Sequence, residues 1–161
     1  GKIRTNHFDG VLTVVYRMFL IINPDISIFG AKDFQQQVLI KNMAKIHFPS
    51  LNVLTAPIVR SLNGIALSSR NNYLSYDELE LASNLFKSLQ QSASLYQNGM
   101  SEKDIINIAI NFLLSKKLVP DYYELRDTLL NKIQKKNYTG KKIILGSVKI
   151  RNIRIIDNIE F

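Results

Sequence analysis

The chain has 161 residues, 46% hydrophobic and 21% charged, which is enough apolar content for a buried core and argues against intrinsic disorder. No run of about 18 apolar residues occurs, so no helical membrane span is read. The absence of cysteine excludes disulfides and thiolate metal sites and fits a reducing cytoplasm. The net charge of +8, from 21 Lys+Arg against 13 Asp+Glu, favours anionic ligands, but the basic pairs Lys116-Lys117, Lys135-Lys136 and Lys141-Lys142 are dispersed. That is the pattern of solvated turns and helix ends, and it argues against a nucleic-acid-binding face.

In chain order, the first residue is Gly1, and Lys2-Ile3-Arg4 is too short to be a signal peptide. From His7 to Ile22 the apolar residues Phe8, Val11, Leu12, Val15, Met18, Phe19 and Ile22 recur in steps of three and four, which predicts a helix. Asn23-Pro24-Asp25 stops it, because proline cannot continue a helix. Ile26 to Phe29, ending at Gly30, reads as a buried strand. Asp33 is expected to cap a second helix that places Phe34, Val38, Leu39, Met43 and Ile46 on one face. His47 lies in the following loop. Leu51 to Ile58 is expected to be a further strand with Val53 and Leu54 inside, so the order implies a parallel sheet with helical crossovers.

Beyond this point the pattern changes. Asn63-Gly64 marks a hairpin turn. Ser75-Tyr76-Asp77-Glu78 is a capping box for a long helix to about Gln97, closed by Asn98-Gly99. A second helix starts at Ser101 and runs to about Lys117, with Ile105, Ile106, Ile108, Ala109, Phe112 and Leu113 buried. Asp121 to Leu125, Ile143 to Val148 and Ile153 to Ile156 read as strands, with a helical or irregular piece from Leu129 to Asn137. The fold class expected is α/β: residues 1–72 as part of a doubly wound parallel sheet, and residues 73–161 as a small α+β domain.

Two places carry chemistry. At the first, a strand ends in Gly30-Ala31-Lys32-Asp33, and ligands of open parallel sheets bind at such carboxyl ends. Gly30 leaves the backbone open, Lys32 offers a charge suited to phosphate, and Asp33 suits either a helix cap or ribose hydroxyls. One of Gln35, Gln36 and Gln37 should face the strand ends, where an amide recognises a hydroxyl or carboxylate. At the second, Leu67-Ser68-Ser69-Arg70 places two hydroxyls beside a guanidinium, good chemistry for phosphate or for a capped junction loop. His7, at a helix start near Arg4, suits either a structural role or an anionic substrate. No His, Asp and Glu cluster has metal-ligand spacing.

Taken together, these segments resemble the pantothenate synthetase family. The likeness runs through His7-Phe8-Asp9-Gly10-Val11, Phe29-Gly30-Ala31-Lys32-Asp33-Phe34-Gln35-Gln36 and Gly64-Ile65-Ala66-Leu67-Ser68-Ser69-Arg70-Asn71. Downstream it continues in Tyr73-Leu74, Leu145-Gly146 and Ile155-Ile156-Asp157-Asn158. The resemblance implies a Rossmann-like nucleotidyltransferase sheet and an ATP-dependent ligase. Such enzymes activate pantoate with ATP, giving pantoyl adenylate and pyrophosphate, after which the amine of β-alanine displaces AMP. It implies ATP binding at Gly30, Ala31, Lys32, Asp33, Val59, Leu67, Ser68, Ser69 and Arg70, with Lys32, Ser68, Ser69 and Arg70 catalytic and Gln36 binding pantoate. It further implies Mg²⁺ accompanying ATP, a cytoplasmic enzyme that is a homodimer in its full-length form, and neither nucleic acid nor membrane as a partner.

Three departures from the family pattern stand out. Ala31 occupies a position where the family often has Glu, and Thr5-Asn6 replaces the common Pro-Gly. The family's His-x-Gly-His segment, which grips ATP phosphates, is not among these residues, so the polypeptide alone is expected not to make pantothenate. The competing readings are another adenylyl- or cytidylyl-transferring enzyme of the same superfamily, and a basic nucleic-acid-binding module.

Overall fold

The computed structural model describes residues 7–133 and 138–161 and divides the chain into two compact units, Gly1–Ile58 and Val59–Phe161. The division falls ahead of residue 72 because residues 59–74 pack with the helices and strands downstream of them. Ile65 and Leu74 join the second unit's core, and Arg60 pairs with Asp157.

The first unit runs α1 (His7–Ile22), β1 (Ile26–Gly30), a 3₁₀ turn (Ala31–Asp33), α2 (Phe34–His47) and β2 (Asn52–Ala56). Strands β1 and β2 pair in parallel, Ile26 opposite Asn52 through Gly30 opposite Ala56. Phe29 and Val53 point toward the two helices, where Phe19, Ile40 and Ala44 form the buried centre. The ring of Phe19 meets Phe48 edge-on at 5.4 Å and Phe29 at 6.3 Å, a geometry that satisfies the aromatic quadrupoles.

The register puts Ile28 and Leu54 side by side on the opposite face, and there they are 64% and 41% exposed. Leu54 is therefore outside, against expectation: in a strand with alternating sides, Val53 and Leu54 cannot share one covered face. Ile46 is likewise exposed, since the buried stripe of α2 is Phe34, Gln37, Val38, Ile40 and Ala44.

The second unit opens with a tight reversal. The Gly64 amide donates to the Ser61 carbonyl, and Arg60 bridges Ala66. A 3₁₀ turn (Ser69–Tyr73) leads into α3 (Tyr76–Gln97) and α4 (Glu102–Ser115). Both halves of the capping box form at Ser75 and Glu78, satisfying otherwise orphaned backbone donors. Strands β3 (Pro120–Asp127), β4 (Lys142–Ile150) and β5 (Ile153–Glu160) make an antiparallel sheet with β4 central.

Leu85 and Leu89 of α3, Leu113 of α4 and Leu125, Ile144 and Val148 of the sheet fill the core. Ile108 faces outward, because Ile105, Ala109 and Leu113 already complete the buried stripe of α4. The buried hydroxyl of Tyr123 pairs with Ser92 Oγ at 2.8 Å, and burial holds it above the ordinary tyrosine range despite its bonds with Ser88 and Ser92. The segment from Leu129 to Ile133 is irregular, starting with a turn in which the Leu130 amide bonds to Asp127; residues 134–137 lie outside the described residues.

Candidate active site

In the first unit, β1 and β2 end together at Gly30 and Ala56, and the chain turns directly into α2 through Ala31, Lys32 and Asp33. Gly30 has extended backbone angles that any residue adopts, and open space lies where a side chain would begin. Its value is that access, which lets a ligand reach the main chain. Asp33 occupies the position before α2, but its exposed carboxylate makes no capping bond, contrary to the expected N-cap. That leaves the carboxylate available to a ligand, next to the positive end of the helix dipole. Lys32 and Ala31 are half-buried on the same turn, and Gln36 is half-buried in the first turn of α2.

Gln37, one residue further on, is the glutamine that turns inward. It is 4% exposed, and its amide donates to Thr55 Oγ1 of β2. Lys41 Nζ donates to the same oxygen at 2.7 Å, so α2 is tied to the carboxyl end of β2. Helical spacing from Phe34 through Gln37 and Lys41 was the available signal for this contact, masked by the polarity of Gln37.

In the second unit, Val59 and Leu67 are joined across the reversal by a 2.9 Å bond from the Leu67 amide to the Val59 carbonyl. Both side chains are exposed. Ser68 caps the 3₁₀ turn, its Oγ accepting from the Arg70 amide at 3.3 Å and its carbonyl accepting from the Asn71 amide at 3.0 Å. Asn71 Nδ2 reaches back to the Ala66 carbonyl at 3.2 Å, which closes the loop on itself. Ser69 and Arg70 are exposed on this turn, and the guanidinium of Arg70 takes no ion pair among the described residues. Such a cation is ready for an anionic ligand.

Of the two histidines, His7 begins α1 with its ring 5.4 Å from Phe8, and His47 packs edge-on against Tyr16 at 5.3 Å. Among the described residues, no three His, Cys, Asp or Glu side chains cluster as metal ligands, and no helix is long and apolar enough to cross a membrane.

The family model described as pantoate-beta-alanine ligase matches residues 1–160. The pantoate–β-alanine ligase of Schizosaccharomyces pombe is 39% identical over 162 residues, covering 99% of this chain and 56% of the relative. The crystal structure of pantothenate synthetase from Thermus thermophilus superposes with a TM-score of 0.90 at 29% identity, covering 99% of this chain and 58% of that one. A Francisella tularensis pantoate-beta-alanine ligase, solved with beta-gamma ATP and beta-alanine, gives 0.74 at 28% identity over 99% of this chain and 52% of its own. The chain thus spans little more than half the length of the relatives it matches. With the model match running from the first residue to the last but one, the chain belongs to the pantoate–β-alanine ligase family.

Proposed function

We propose that this chain serves an ATP-dependent ligase that joins pantoate to β-alanine through a pantoyl adenylate, releasing AMP and pyrophosphate. The observation that carries the reading is the Gly30–Asp33 turn at the paired carboxyl ends of β1 and β2, in a chain of this family. The Francisella relative solved with an ATP species and β-alanine supports the choice of substrates.

In the first step a carboxylate oxygen of pantoate attacks the α-phosphorus of ATP. A new P–O bond forms as the bond to the β-phosphate oxygen breaks, and pyrophosphate leaves with its electron pair. Lys32, Ser68, Ser69 and Arg70 bind the phosphates and offset negative charge growing at the α-phosphorus and on the leaving group. Gly30, Ala31, Val59 and Leu67 contact the nucleotide, Asp33 accepts from ribose hydroxyls, and the Gln36 amide holds pantoate.

In the second step the neutral amine of β-alanine attacks the acyl carbon. The C–O bond to AMP breaks, and the nitrogen loses its proton once the amide forms. No enzyme nucleophile is needed, so the protein contributes positioning and fixed charge. Magnesium enters as the nucleotide's own counter-ion. We also assign the enzyme to the cytoplasm as a homodimer.

The test is steady-state kinetics on the intact product of the gene. Lys32→Ala should lower kcat/KM for ATP by about 100-fold or more, the scale of one removed electrostatic stabiliser. Gln36→Ala should raise KM for pantoate while leaving that for ATP near its starting value. Wild-type rates in Lys32→Ala would overturn the assignment.

A further inference from the structure

The loop bearing Ser68, Ser69 and Arg70 is held from behind by an ion pair between half-buried Arg60 and buried Asp157, residues far apart in sequence. Arg60 Nη1 donates to Asp157 Oδ2 at 2.6 Å and Nη2 donates to Oδ1 at 2.9 Å, a two-point pairing of fork and carboxylate. The same guanidinium donates to the Gly64 carbonyl at 2.9 Å and the Asn158 carbonyl at 3.2 Å, and it lies 3.8 Å over the ring of Phe86. Asp157 is 4% exposed, and its Oδ1 also accepts from the Asn158 amide at 2.8 Å.

One cation thus ties together β5, α3 and the reversal that delivers Leu67 to Arg70. The two-point pair with Asp157 leaves further guanidinium N–H donors, and one of them goes to the Gly64 carbonyl. That contact fixes the crown of the reversal, and the bonds from Leu67 to Val59 and from Asn71 to Ser68 then set where the two serines stand.

We propose that Arg60 is a positioning residue for the nucleotide-binding loop, acting through Gly64 and anchored by Asp157. The proposal rests on the reading of Ser68–Arg70 as an ATP site. A loop fixed before the ligand arrives loses less entropy on binding, so loosening it should appear in affinity as well as in stability.

The experiment compares the unaltered protein with Arg60→Lys and Tyr123→Phe, all as the intact gene product. Lysine keeps the charge facing Asp157 but has no planar fork to reach the Gly64 and Asn158 carbonyls as well. Tyr123→Phe is the stability control, removing the buried hydroxyl bonded to Ser92 without touching the loop. Hydrogen exchange of the peptide spanning residues 65–74 should be about 10-fold faster in Arg60→Lys, and ATP should bind about 10-fold more weakly, through local opening of the loop. Tyr123→Phe should lower Tm and leave both readouts unchanged.

Unchanged exchange in Arg60→Lys, or equal losses in Tyr123→Phe, would overturn the positioning role. Failure of the unaltered protein to bind ATP would overturn the site assignment instead, while the exchange arm still judges the clamp. Should Arg60→Lys not fold, the paired replacement R60M/D157L removes both charges together and carries the same expectations.

Discussion

Replacing Gly64 by alanine separates two costs that the fold imposes at one residue. Gly64 has φ of +87°, in the left-handed region, and a β-carbon built there overlaps the ring of Phe86. Gly99, which closes α3, has φ of +86° and nothing within 4 Å of its would-be β-carbon. Alanine at either position bears the left-handed backbone penalty of about 1–2 kcal/mol. Both also share the same reduction in unfolded-chain entropy.

Only Gly64→Ala must also displace an aromatic ring on which the Arg60 guanidinium rests, an overpacking cost of about 1–3 kcal/mol. Because the shared terms cancel, the difference between the two variants estimates the overpacking alone. Urea unfolding followed by circular dichroism measures it, provided the m-values agree. Gly64→Ala should be the less stable by about 1–3 kcal/mol. Equal stability of the two variants would mean that Phe86 moves aside freely and that no overpacking arises at Gly64.

Two further predictions concern α3. Glu78 is held below the ordinary carboxylate range, first by the bond it accepts from the Ser75 amide and then, against a raising effect of burial, by Arg151. A lowered folded-state pKa stabilises the fold above the unfolded value and loses that contribution as the pH falls through the folded one. Glu78→Gln should therefore be less stable than the unaltered protein at pH 7, with the gap closing below about pH 4 in denaturant titrations. A gap independent of pH would contradict this. Leu85, 1% exposed in the main core, should cost about 2–5 kcal/mol on replacement by alanine, read from the same unfolding curves.

Much of the fold was legible because local rules and tertiary packing agree. The three-and-four spacing from Phe8 to Ile22 and the stop at Pro24 give α1 as observed, and the Ser75–Glu78 box and Asn98-Gly99 give both ends of α3. Where an apolar residue faces depends on what covers it, which periodicity does not encode. Leu54 and Ile108 were expected inside, and Ile46 on the apolar face of α2, yet all three stand exposed for that reason. Asp33 illustrates the opposite gap, with the right residue type for a cap in the right place and no capping bond.

Apart from Val59, the residues proposed to meet ATP stand in two contiguous runs of the sequence, Gly30 to Asp33 and Leu67 to Arg70. Their supports do not. Gln37 reaches Thr55 across the crossover, and Arg60 reaches Asp157 from the other end of the second unit, so neither pairing leaves a local signature.

The proposed activation of pantoate by adenylation is read most directly by exchange of labelled pyrophosphate into ATP. With the intact gene product, ATP, Mg²⁺ and pantoate, and no β-alanine, label should enter ATP, and omission of pantoate should abolish the exchange. Exchange that ignores pantoate, or product formation that yields ADP and phosphate in place of AMP and pyrophosphate, would exclude a pantoyl adenylate intermediate.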